Sequence, residues 1–172
     1  MQVTVRRFRK QDIENKVRWI NDPPNHRYLH YELPLTVEGT ERWYRRVKDD
    51  PGRFDGVIVA DGTPCGLIGL LHIDPAERQA EMYILVGESA LRRRGVAMEA
   101  SRILLHYAFS ELSLQKVCLF TETGNLPAQR LFEKLGFVKK ELRRRDVFAN
   151  GSYADRFLYA MDKRPEWASE DG

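Results

Sequence analysis

The sequence predicts an α/β (α+β) fold, a mixed sheet of seven strands with helices on both faces. Three observations carry that expectation. Strand-length apolar runs and amphipathic helical segments follow the order β-α-α-β-β-β-α-β-α-β-β, which neither a sandwich nor a regular doubly wound sheet produces. Two tight-turn dipeptides, Asp61-Gly62 and Asn150-Gly151, each join a pair of strand-like runs, as hairpins do. A chain of 172 residues with 42% apolar residues suits one domain around one sizeable core.

Each element has its own signal. Val3 to Phe8 alternates like a strand. Gln11 to Ile20 reads as a helix with Asp12 near its start, stopped by Asn21-Asp22-Pro23-Pro24. Thr36 is placed to cap a second helix, Glu38 to Lys48. Phe54 to Ala60, Cys65 to Ile73 and Ala80 to Val86 follow as strands. Gly95 to Phe109 is amphipathic, Lys116 to Thr121 strand-like, and Leu126 to Leu135 helical with Gly136 as its stop. Arg143 to Ala149 and Tyr153 to Met161 form the last hairpin, across a type I′ turn. A single domain over 1–164 and a flexible tail over 165–172 are expected.

Composition narrows the function classes. No apolar run approaches the ~18 residues that cross a membrane, and the charged start of the chain is unlike a signal peptide, so a cytoplasmic protein without a membrane partner is expected. The net charge of +3 is spread over 28 basic and 25 acidic residues, unlike a nucleic-acid binder with its charge on one face. Cys65 and Cys118 lie in apolar runs and are expected as free thiols. The four histidines have no metal-ligand spacing, so no metal is expected.

Chemistry enters at Arg92-Arg93-Arg94-Gly95-Val96-Ala97, between the fourth strand and a long helix. The first N–H groups of a helix lack internal partners and carry partial positive charge. Gly95 lets a ligand approach the backbone, Ala97 keeps the next turn open, and the arginines add charge. Together they suit a pyrophosphate.

Arg92-x-x-Gly95-x-Ala97 resembles the pyrophosphate signature of the GNAT superfamily of acetyl-CoA-dependent N-acetyltransferases. Asn125-Leu-Pro-Ala128-Gln-Arg-Leu131-Phe132-Glu133-Lys134-Leu135-Gly136-Phe137 is similar to a second family segment nearly residue for residue. Arg18-Trp19-Ile20-Asn21-Asp22-Pro23 and Asn150-Gly151-Ser152-Tyr153-Ala154-Asp155 resemble the branch that acetylates ribosomal-protein N-termini, spermidine and nucleotide-linked amino sugars. The resemblance covers Val3 to about Met161.

The resemblance implies the GNAT fold, with a bulged fourth strand splayed from the fifth to admit acetyl-CoA. It implies coenzyme contacts from backbone groups of Leu85 and Val86, from Arg92 to Ala97, from Asn125 and from Gln129. Removing a proton from an amine requires a base. Glu81 is the first choice, with Glu122 and Asp155 as competitors. Tyr31, Glu32, Tyr83 and Asp155 are expected to meet the acceptor. The chain departs from the family at Phe132, where relatives carry a tyrosine proposed as the acid; either Tyr83 or Tyr107 substitutes, or the thiolate leaves unaided. Between His26 and Leu35 the only acid is Glu32, which disfavours a polyamine; a protein N-terminus or a nucleotide-linked amino sugar remains. A non-catalytic coenzyme-binding module is the alternative, and a homodimer is expected from the branch.

Overall fold

The computed structural model describes residues 1–149 and 151–167. Seven strands form one sheet: β1 (Val3–Arg7), β2 (Phe54–Ala60), β3 (Thr63–Asp74), β4 (Gln79–Val86), β5 (Lys116–Glu122), β6 (Val138–Ala149) and β7 (Ser152–Asp162). Their spatial order is β1-β2-β3-β4-β5-β7-β6, antiparallel throughout except for the parallel pair β4–β5. The helices are α1 (Ile13–Asn21), α2 (Pro23–His26), α3 (Val37–Val47), α4 (Val96–His106) and α5 (Leu126–Leu135).

The strand alternation divides the core into two layers. Ile58, Ile68, Leu70, Met82, Val117 and Leu119 point to the face covered by α4 and α5. Val57, Leu67, Tyr83 and Leu85 point to the opposite face, where Phe8, Trp19 and Ile20 cover them.

Local chemistry explains the boundaries. Asp61 and Gly62 both take positive φ (49° and 83°), as a type I′ turn requires, and join Ala60 to Thr63. At the second hairpin Ala149 pairs with Ser152 and Gly151 has φ 81°; Asn150, and with it the expected turn type, lies outside the described residues. The prolines that stop α1 also start α2, because proline's missing N–H costs nothing in a first turn. The third helix is capped as expected, Thr36 accepting from the Gly39 N–H at 3.0 Å. Past His106 the chain widens into a π-turn, Tyr107–Glu111.

Three differences from expectation have physical causes. β6 begins at Val138, five residues before Arg143; it is an edge strand whose charged, exposed start hides the alternation. The bulge lies in β3 rather than β4, between Leu71 and Asp74, where His72 takes φ 52°. Residues 165–167 are docked: Pro165–Trp167 form a helical turn, and the Trp167 ring lies 6.1 Å from that of Phe109. Residues 168–172 lie outside the described residues.

Candidate active site

The parallel pairing of β4 and β5 is brief. Gln79, Ala80 and Glu81 pair with Lys116, Val117 and Cys118, and beyond them the strands part. Backbone alternation shows which groups are left free. Gly87 N–H donates to Cys65 on β3, while the Arg78 carbonyl accepts from Gln115 and Lys116 on the β5 side. Odd residues of β4 therefore bond to β3, and even residues face β5. Leu85 thus differs from the expectation: its N–H and C=O are committed to Leu67. Those of Ile84 and Val86 open onto the slot, as do those of Phe120 and the Glu122 N–H on β5, while the Glu122 carbonyl accepts from the Asn125 N–H.

The slot leads to the predicted cradle. Gly95 caps α4 in the left-handed region with φ 82°, and a Cβ there would meet no atom within 4 Å. Arg93 is also left-handed (φ 63°), so the loop concentrates N–H groups ahead of the helix. Val96 is buried beneath them, whereas Arg93 and Arg94 are exposed. Across the slot, the Asn125 side chain caps α5 through the Ala128 N–H at 3.3 Å. The Gln129 amide nitrogen is spent on the carbonyls of Glu122 and Thr123, closing the β5–α5 turn.

The first helices are locked against the end of β4. Asn25 donates to the carbonyls of Trp19 and Gly87, each at 2.9 Å. Glu88 accepts from Arg18 and from the Trp19 indole, and these bonds hold its carboxyl below the usual range. Asn21 bonds both the N–H and the C=O of Leu35, fixing the 27–36 loop. Arg18 to Asn25 is thus a clasp.

On the α1 side of the sheet, Glu81 lies where the slot closes, 3.7 Å from His72 and beside Cys118. Burial, and then the Glu81 charge, push the Cys118 thiol up. At the open end His30 Nε2 meets Glu122 Oε2 at 2.9 Å, and the Tyr28 hydroxyl donates to the Gly124 carbonyl. Asp155 accepts from the Arg145 N–H, holding an irregularity of β6. Phe120 lies between the guanidinium groups of Arg143 and Arg156, 4.9 and 4.5 Å from its ring.

Neither tyrosine offered as an acid is placed for it. Tyr83 donates to Asp55, and burial, reinforced by that carboxylate, drives its hydroxyl well above its ordinary range. Tyr107 packs on Phe54 at the far end of α4. Phe132 is buried against Phe137 and Tyr159.

Tyr31 and Glu32 line a cavity of about 390 Å³ bounded by α1, the 31–36 loop and α3, which no residue of β4 or β5 lines. Lys16 forms part of its wall with only 6% exposure. Its ammonium lies 3.1 Å from the centroid of Trp43, and burial lowers its pKa to about 7. A charge on the Ile13–Ile20 stripe is the sequence signal for this residue.

A slot with free backbone groups, ending at a glycine-capped helix N-terminus, suits the amides and pyrophosphate of acetyl-CoA. Those features define a coenzyme A-dependent acyltransferase. Residues 2–138 match the Acetyltransferase (GNAT) domain family, and the chain belongs to it as an N-acetyltransferase that uses acetyl-CoA. The curated "Putative ribosomal N-acetyltransferase YdaF" of Bacillus subtilis is 32% identical over 74% of this chain and 68% of its own. Spermidine N(1)-acetyltransferase of Escherichia coli K12 is 28% identical, over 88% and 81%. A crystal structure of spermidine N-acetyltransferase from Vibrio cholerae, in complex with CoA and spermine, superposes with TM-score 0.87 at 25% identity, over 94% and 95%. No helix among the described residues is long and apolar enough to cross a membrane, and no metal-binding cluster occurs among them.

Proposed function

We propose that this enzyme acetylates the α-amine of a protein N-terminus, using Glu81 as base. One observation carries the acceptor class: apart from the base Glu81, the carboxylates around the slot are already neutralised or bonded. Glu122 is held by His30, Asp155 by the Arg145 N–H, Asp55 by Arg53 and Tyr83, and Arg143 and Arg156 stand at the β5 wall. A polyamine needs unspent negative charge. An α-amine, with a pKa of roughly 7.7–8.0 against roughly 10.4 for an alkylamine, needs only modest help to lose its proton. The ribosomal N-acetyltransferase named among the relatives accords with this choice.

The amine enters on the α1 side, between the 27–36 loop and the β6–β7 hairpin, with Asp155 on its path. Its nitrogen attacks the thioester carbonyl; the C–N bond forms, the C–S bond breaks, and sulfur leaves as thiolate. The amine proton passes to Glu81 through a water. Val86 N–H, open to the slot, stabilises the developing oxyanion, and Gly95 with the neighbouring arginines holds the pyrophosphate. With Phe132 apolar and Tyr83 tied to Asp55, no side chain donates to the leaving sulfur; a thiol with a pKa of roughly 8.5 departs without one.

The experiment measures thiol release from acetyl-CoA with N-terminal peptides of ribosomal proteins, nucleotide-linked amino sugars and polyamines. Peptides are expected to be preferred, and Glu81→Gln to lower kcat by about 10²–10⁴ with acetyl-CoA affinity unchanged. Preference for spermidine or an amino sugar would overturn the acceptor class; an active Glu81→Gln enzyme would overturn the base.

A further inference from the structure

The cavity beside Lys16 is separate from the slot and has its own chemistry. An ammonium group has three donors. The Lys16 ammonium takes part in no hydrogen bond or ion pair among the described residues, although the residue is more than nine-tenths buried. The nearest carboxylate is spoken for: both Asp55 oxygens accept from Arg53, and one also from Tyr83. The polar groups of the α3 wall are used as well, Thr36 accepting from the Gly39 N–H and Thr40 donating to the Thr36 carbonyl. What remains is an apolar surface made by Leu33, Pro34, Leu35 and the Trp43 ring, with one cation in its wall that is met by aromatic rings and by no hydrogen-bond acceptor among the described residues.

We propose that this cavity is a binding site for a small organic monocarboxylate, whose carboxylate accepts from Lys16 Nζ while its apolar body packs on Trp43 and the Leu33–Leu35 segment. The volume of about 390 Å³ suits a ligand of one ring or a short branched chain. The exposed Glu32 at its rim selects against a second negative charge. A cation would meet Lys16 and Arg53, with only Glu32 unspent to answer it.

The charged and titratable groups around Lys16 are Arg53, just ahead of β2, Asp55 from β2 with Tyr83 of β4 bonded to it, and Tyr31 and Glu32 from the loop. Arg53, Asp55 and Tyr83 satisfy one another, so Lys16 changes charge near neutrality by itself, its pKa lowered by burial to about 7. Binding a carboxylate requires the protonated form, and so takes up a proton above that pH.

The test is calorimetric titration of the full chain with benzoate at pH 6 and pH 8, with benzylamine as the opposite charge. Benzoate is expected to bind about tenfold more weakly at pH 8, and benzylamine not at all. Saturating acetyl-CoA should not displace benzoate, and Lys16→Met should abolish its binding while keeping a cooperative melt. Absence of benzoate binding at pH 6, pH-independent affinity, competition by acetyl-CoA or equal binding of benzylamine would each overturn the proposal. The pH profile of the unmodified protein decides even if Lys16→Met fails to fold. Because the readout is binding rather than acetyl transfer, its failure leaves the proposed acceptor untouched.

Discussion

Replacing Lys16 with methionine should flatten the pH dependence of folding stability. The helix stripe that brings Ile13 and Ile20 into the core brings Lys16 with them, and burial lowers its pKa to about 7 from an ordinary value near 10.4. Between those values the unfolded chain binds a proton that the folded chain has released. Stability therefore rises with pH across the window, by about 1.4 kcal/mol per pH unit, and the penalty is fully present below pH 7. Over the whole window it amounts to about 5 kcal/mol. The Cys65 thiol, pushed up to about 11 by burial, acts in the opposite sense once the unfolded thiol ionises near 8.5. The clean interval is thus pH 7 to 8.5, where Lys16 contributes about 1–2 kcal/mol. Urea unfolding across this interval should show that gain in the wild type and not in Lys16→Met, which should be at least as stable at pH 7. Parallel curves, or a variant destabilised throughout, would refute the argument that Lys16 is buried at a cost.

Three further outcomes follow from local geometry. Gly87→Ala would put a Cβ 2.3 Å from Cγ of the buried Trp19; it should cost about 2–3 kcal/mol and lower Tm by about 5–10 °C in a thermal melt. Gly95→Val meets no protein atom but forces a branched side chain to φ 82° above the helix N-terminus. It should cost about 1–2 kcal/mol of stability and raise the KM for acetyl-CoA at least about tenfold, with a smaller effect on kcat. At Asp12, burial pushes the carboxyl up, but hydrogen bonds from Arg6 and the Arg9 N–H outweigh it and hold the pKa below its ordinary value. Its stabilisation is present above about pH 4 and lost as pH falls through the lower folded value. Asp12→Asn should flatten acid unfolding below about pH 4 and cost about 2–4 kcal/mol at pH 7, read by circular dichroism.

The elements, their order and the glycine-capped start of α4 were legible in the sequence because their causes are local. The alternation of Ile58, Ile68 and Met82, the Asp61-Gly62 turn, the Thr36 and Asn125 caps, and Gly95 ahead of an amphipathic helix each act within a few residues. The two family segments added the splayed sheet, which no periodicity contains. Other features needed tertiary structure because they join residues far apart in sequence. Which edge of β4 is free depends on the β3 register, and that register spends Leu85 and leaves Ile84. The carboxylates near the slot look available in sequence, but His30, Arg53 and the Arg145 N–H answer them from other elements. Tyr83 reads as a candidate acid until Asp55 is seen to hold its proton. Lys16 shows the division best: helical spacing places it on the buried stripe, but only the packing of α1 against α3 turns it toward Trp43. What sequence spacing determined was direction along each element; partnership was decided by the fold, because charge compensation and backbone pairing are made between elements.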